Sequence, residues 1–198
     1  MFTHYYKNPE ETAKAVDADG WFSTGDVAQV TNDGWFIIID RVKNFFKLAQ
    51  GEYVTPEKIE NLYLTSNSLL TQAYAHGDFT NSYLVGVVGV DPNAIKSFLK
   101  QRMNFTDGDL ADEEKILEIC NRRETRVQIL LHMNSNVGSK LNGFEKLHNI
   151  YVEFEPLRLD REVITPTSKL RRPIAYKYFK KQLDAMYKEG SIVKDIKL

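Results

Sequence analysis

A chain of 198 residues has room for one large domain, or for a small domain with an appendage. Its 42% hydrophobic and 27% charged residues describe an ordinary globular protein, and a formal net charge of −1 argues against generic nucleic-acid binding, which favours a basic face. One cysteine, Cys120, excludes an intramolecular disulfide framework and fits a reducing compartment; no apolar run approaches the ~20 residues that span a bilayer.

The chain opens on the aromatic pair Tyr5-Tyr6, and Asn8-Pro9 followed by Glu10-Glu11 predicts a short helix with acids in its first turn. Asp19-Gly20 and Asp33-Gly34, each followed by Trp, are turn formers, because glycine takes positive φ with no Cβ penalty. They are expected to frame a β-meander. Phe36 to Ile39 is aromatic and β-branched, which predicts a buried strand. Directly behind it sit Asp40, Arg41 and Lys43, and charges at a strand end face a crevice more often than a core.

Phe45, Phe46 and Lys47 lead into the Gln50-Gly51 turn and predict a hairpin. Thr55-Pro56-Glu57 has the form of a capped helix start, and Ile59, Leu62 and Tyr63 give that helix one apolar face. Leu69 to His76 and Tyr83 to Val90 predict two paired strands, and Asp91-Pro92 starts a helix with Ile95, Phe98 and Leu99 inward. Asp112 caps a longer helical stretch through Leu131, broken near Arg122-Arg123. A short strand over Asn149 to Phe154, a charged loop to Glu162 and a final helix through Tyr187 complete the chain.

The stretch from Asp19 to Glu60 holds Asp19-Gly20-Trp21, Thr24-Gly25-Asp26, Asp33-Gly34, Asp40-Arg41, Lys43, Lys47, Gly51-Glu52-Tyr53 and Pro56-Glu57 in order. It resembles the signature of fatty acyl-CoA synthetases, within the adenylate-forming superfamily that includes luciferases and aryl-CoA ligases. That signature reads DGW-x-x-TGD, DG, an apolar strand, DR-x-K and K-x-x-x-GEY-x-x-PE-x-IE. The likeness extends back to Tyr5-Tyr6 and the Asn8-Pro9-Glu10-Glu11-Thr12 run, and forward to Thr165-Pro166-Thr167-Ser168-Lys169-Leu170-Arg171-Arg172. Ser23, Ala28 and Val42 depart from the pattern without removing a residue of chemical role. The family's STSGTTG-like phosphate loop is absent from this sequence.

Taken alone, Asp26 is either a turn aspartate bonding its own backbone or a carboxylate able to accept from both hydroxyls of a ribose. The resemblance implies the ribose, with Arg41 on the same hydroxyls and Gly51 counted among the cofactor-binding residues. By charge alone, Arg41 and Lys43 are equally a solvated cluster. The resemblance makes Lys43 the hinge about which a C-terminal domain turns between two half-reactions. Lys169 lies in a Thr/Pro/Ser loop, where packing does not account for it, and the resemblance implies that it reaches the carboxylate and the α-phosphate during adenylation. Those two anions repel, and a cation bridging them offsets the repulsion in the transition state. Lys47 is either a solvated hairpin lysine or, by resemblance, the lysine brought to the site after rotation. The three residues between it and Gly51 are one more than luciferase-like members carry. His76, His132, His148 and Cys120 lack metal-ligand spacing and are expected to be structural.

The expected fold is α+β: a small C-terminal domain of helices around a short mixed sheet (43–198), preceded by a β-rich remnant of a large adenylate-forming domain (1–42). The resemblance implies the last portion of a fatty acid:CoA ligase that uses ATP and CoA. The Mg²⁺ site, phosphate loop and fatty-acid tunnel would lie in the missing domain, so the isolated segment should be inactive. The rivals are another adenylate-forming ligase, aryl-CoA or luciferase-like, and a non-catalytic module binding nucleotide, CoA or a partner. Peripheral membrane association is compatible with the family. The expected location is cytoplasmic or organellar; the final Ile196-Lys197-Leu198 shares two letters with a peroxisomal address. Acyl chain length is not readable without the tunnel.

Overall fold

A computed structural model describes residues 3–193, the side chain of Asp40 apart; the terminal Ile196-Lys197-Leu198 lies outside the described residues. The chain divides into two compact units, Met1–Phe45 and Phe46–Leu198. The change falls three residues after the 42/43 boundary expected from the sequence.

In the first unit, α1 (Pro9–Ala15) starts where Asn8 Oδ1 accepts the Glu11 N–H at 3.1 Å, with Pro9 preset for the first turn. An isolated bridge joins Val16 to Phe22 around the Asp19-Gly20 turn. Strands β1 (Asp26–Val30) and β2 (Phe36–Arg41) then pair antiparallel through the Asp33-Gly34 turn. Gly20 and Gly34 take φ of +83° and +82°, the region the turns require.

The strand expected over Phe36 to Ile39 forms, but it is not buried. Phe36, Ile37 and Ile38 are 75%, 53% and 63% exposed. Successive strand residues point to opposite faces, so both faces of β2 lie open. A continuous apolar run signals a strand covered on both sides, and a two-stranded ribbon supplies cover on neither. A single 3₁₀ turn, Val42–Asn44, follows.

The second unit begins with a short hairpin, β3 (Phe46–Lys47) and β4 (Tyr53–Val54), turning at Gly51 with φ +96°. Helix α2 (Pro56–Ser66) follows; Thr55 occupies the cap position, but its side chain makes no capping bond, so Pro56 carries the start. Strands β5 (Leu70–His76) and β6 (Leu84–Val90) pair antiparallel, as expected. Helix α3 (Pro92–Met103) is capped by Asp91, and α4 (Glu113–Asn121) by Asp112. Helix α5 (Arg123–Val137) is set off from α4 by an extended Arg122, the expected break. Strand β7 (Leu147–Glu153) lies parallel to β6, and α6 (Arg172–Glu189) is the last helix, after which Ile192 and Val193 return to the core.

The resulting sheet, in the order β5-β6-β7, is mixed, and β6 is buried along its whole length. One face packs Ile59 and Tyr63 of α2, Ile95 and Leu99 of α3, Ile116 and Cys120 of α4, and Ile129 and Met133 of α5. The other face packs Ala175, Phe179, Leu183 and Met186 of α6 against Tyr74, Val85 and Val87. The buried Tyr63 hydroxyl is satisfied on both sides: Oη donates to Asn134 Oδ1 at 2.5 Å and accepts the Leu147 N–H at 2.9 Å. The architecture is α+β, as the sequence implies. Leu131 departs from the predicted apolar face of its helix and is exposed.

Candidate functional site

In the first unit Asp26 and Arg41 are cross-strand partners at the open end of the β1–β2 ribbon. Arg41 Nε approaches Asp26 Oδ1 at 3.2 Å, and the Asp26 carboxyl stays 27% exposed. The turn before it is held from both sides: Thr24 Oγ1 accepts the Asp26 N–H at 3.1 Å, and Gly25 C=O accepts the Val42 N–H at 2.9 Å. A carboxylate and a guanidinium presented together on a fixed backbone can accept from and donate to vicinal hydroxyls. Lys43 sits in the 3₁₀ turn just beyond, exposed.

In the second unit Lys47 and Tyr53 face each other across the hairpin, with Lys47 Nζ 5.5 Å from the Tyr53 ring centroid. This cation–π pairing holds the ammonium over an exposed ring. The hairpin is anchored to the 78–82 loop: the Ala49 N–H donates to Asn81 C=O at 3.0 Å, and Gln50 Nε2 donates to Ser82 C=O at 3.0 Å. That loop is itself closed by Asp78, which accepts from Thr80 and Asn81.

Lys169 lies on a different loop of the same unit, also exposed. Ser168 N–H donates to Thr165 C=O at 2.8 Å, closing a turn with Pro166 at the position that favours it. Thr165 then grips Lys169 twice, accepting its N–H on Oγ1 at 3.1 Å and donating to its C=O at 2.9 Å. Ser168 takes φ +58°, a left-handed conformation that costs a non-glycine residue about 1–2 kcal/mol. The base closes with the Ile164–Leu170 bridge and an Arg171 N–H to Val163 C=O bond of 2.8 Å. Among the described residues, no hydrogen bond or ion pair engages the Lys169 ammonium.

Sequence reasoning missed the group behind this loop. Arg172, the first residue of α6, donates through Nη1 and Nη2 to Glu60 Oε1 and Oε2 at 3.0 and 2.6 Å. Glu60, only 7% exposed, also accepts the Ala75 N–H at 2.8 Å. Burial pushes its carboxyl up, while Arg172 and the Ala75 N–H pull it back down. The only signal for it is the second acid of the PE-x-IE signature, which gives no hint of a partner 112 residues away.

Cys120 is fully buried and its thiol is pushed up to about 12 by that burial. His76 stacks on Tyr176 with ring centroids 5.1 Å apart, and His148 Nδ1 lies 2.9 Å from Ser191 Oγ. Among the described residues no group of three or more His, Cys, Asp or Glu is placed to hold a metal ion. No described helix is long and apolar enough to cross a membrane.

No protein-family model matches the sequence. The chain is 39% identical over 191 residues to "Acyl-CoA ligase 891, peroxisomal" of Penicillium roqueforti, covering 96% of this chain and 27% of that protein. It is 41% identical over 191 residues to "Long chain acyl-CoA synthetase 6, peroxisomal" of Arabidopsis thaliana, covering 96% and 26%. Over almost its whole length the chain is thus similar to acyl-CoA ligases, and its structural neighbours are adenylate-forming domains. It corresponds to their C-terminal part and spans about a quarter of the length of these relatives. Among solved structures, the A domain of carboxylic acid reductase from Segniliparus rugosus, in complex with AMP, superposes with a TM-score of 0.69 at 29% identity. That superposition covers 96% of this chain and 27% of the reductase chain.

Proposed function

We propose that this chain is the C-terminal part of a fatty acid:CoA ligase. ATP and a fatty acid give an acyl-adenylate and pyrophosphate, and CoA then displaces AMP to form the thioester. The observation that carries this reading is the Asp26–Arg41 pair, 3.2 Å apart on a pinned turn and open to solvent, inside a match that runs through 96% of the chain. There Asp26 accepts from the ribose hydroxyls of the nucleotide, and Arg41 donates to them. Gly51, at φ +96°, lets the hairpin backbone turn tightly beside Lys47, as approach to CoA would demand.

Lys169 carries adenylation. Its ammonium, presented at the tip of a closed loop, bridges the attacking carboxylate and the α-phosphate and offsets their repulsion. Lys47 serves in the other domain orientation, and Lys43 is the pivot between the two. The segment alone lacks ligase activity, because the phosphate-cradling loop belongs to the remainder of the enzyme.

The deciding experiment is Lys169→Ala in an intact ligase carrying this segment. Acyl-adenylate formation should fall by roughly 10²–10³, the usual cost of one such electrostatic group. Thioester formation from supplied acyl-adenylate should persist. Equal loss in both half-reactions would remove Lys169 from this role. Lys43→Pro tests the pivot: proline's φ near −65° matches the 3₁₀ turn and freezes it. Single-turnover assays should then show one half-reaction spared and the other suppressed, whereas normal rates in both would move the pivot elsewhere.

A further inference from the structure

The loop that presents Lys169 is closed on itself by Thr165, but closure does not say where the loop points. Its base does. Val163 enters the apolar cluster under α6, and three residues after Lys169 comes Arg172, which is locked to Glu60. Three residues of chain span at most about 10 Å, so the place of Arg172 bounds the reach of the Lys169 backbone.

The lock has an unusual composition for a purely supporting contact. Replacing a buried ion pair by apolar groups of similar volume is often neutral or stabilising, so such pairs are poor stabilisers. What a bidentate Arg–carboxylate pair supplies is direction, since the planar fork fits the carboxylate in one geometry. Here one carboxylate ties three elements: its own helix α2, strand β5 through the Ala75 N–H, and the first turn of α6 through Arg172. His76 stacked on Tyr176 adds a second contact between β5 and that end of α6.

The geometry points to Glu60 and Arg172 as positioning residues for Lys169: their ion pair sets the direction in which the 163–171 loop leaves α6. The inference rests on the adenylation role given to Lys169 above, because a displacement of about 1 Å at a reacting group can cost as much as 10² in rate.

Hydrogen exchange on the 198-residue chain tests the pair apart from any activity. The amides of Ser168, Lys169 and Arg171, bonded to Thr165 and Val163, report the order of the loop. Glu60→Gln should speed their exchange at least tenfold beyond what its loss of global stability, measured by urea unfolding, accounts for. Arg172→Lys keeps the charge without the fork and should fall between Glu60→Gln and the parent chain; it also serves if Glu60→Gln fails to fold. Glu189→Gln breaks the Arg126 pair at the far end of α6 and should leave the three amides unchanged. In an intact ligase, Glu60→Gln should lower the rate of adenylation at unchanged KM for ATP and spare the thioester step, with Arg172→Lys partly restored. Loop amides as protected in Glu60→Gln and Arg172→Lys as in the parent would overturn the positioning role. Freed amides with adenylation unaffected would leave the pair ordering the loop and overturn instead the role of Lys169 on which the inference rests.

Discussion

Phe36 and Phe179 are the same side chain in opposite circumstances. Phe36 lies on β2 in an apolar run and is 75% exposed, while Phe179 lies on an otherwise polar-rich helix and is fully buried. The contrast holds for their whole units: no described residue before Leu48 is buried, and beyond it α2–α6 enclose both faces of a three-stranded sheet. Apolar sequence therefore marks where a surface needs cover, and only the second unit carries its cover within this chain. The first leaves Phe36, Ile37 and Ile38 without such cover.

The largest expected effect sharpens that contrast. Phe179→Ala removes a buried aromatic from the α6 face and should lower the unfolding free energy by about 3–5 kcal/mol. Phe36→Ala removes the same atoms from an open face and should stay within about 0.5 kcal/mol. Urea unfolding followed by far-UV circular dichroism compares the two. A loss of several kcal/mol for Phe36→Ala would mean that the first unit holds a core after all.

A smaller effect follows from histidines in the second unit. His148 is 2% exposed, and burial holds its ring below 6.5, although a backbone hydrogen bond at Gly143 acts in the opposite direction. Burial also lowers His76, where Asp78 opposes it and Arg172 adds to it. Below about pH 6.5 the unfolded chain binds protons that the folded rings resist, so stability should fall as pH falls from there through their depressed values. Melting curves between pH 7.5 and 5.5 measure this, and His148→Asn should flatten the slope. A melting temperature that rises on acidification across that range would reverse the assignment.

Most elements of the second unit were legible because local chemistry and tertiary fold agree there. Asp91-Pro92 and Asp112 start helices as caps should, the break at Arg122 falls where expected, and the Gly51 turn closes its hairpin. What escaped was information not held locally. The apolar run of Phe36 to Ile39 encodes a strand but not what lies over it, so the strand was readable and its exposure was not. The Thr55 cap failed in detail because proline starts the helix without help from the hydroxyl. At the candidate site, the motifs single out Asp26, Arg41, Lys47 and Lys169, and the structure pairs Asp26 with Arg41 by strand register. Glu60–Arg172 joins residues 112 apart through a fold that no short pattern encodes.

The smallest expected effect is the most direct attack on the comparison. A chain of residues 46–198 loses everything before Phe46, including α1 and the β1–β2 ribbon. If the second unit owns its core, this shortened chain should keep its unfolding free energy within about 0.5 kcal/mol, the range of changes that touch no buried feature. For a domain of this size, that corresponds to a melting shift of about 1–2 °C. Phe46 must stay, because it packs against the core beside Leu48 and its ring lies where a side chain at Gly77 would go. Cutting before Lys47 instead should cost visibly more. Residues 1–45 alone should show no cooperative transition, since none of their described residues is fully buried. Calorimetry on the two fragments decides the matter. A drop of 10 °C in the longer fragment, or a sharp melt in the shorter one, would place part of the core before Phe46 and undo the division between the units.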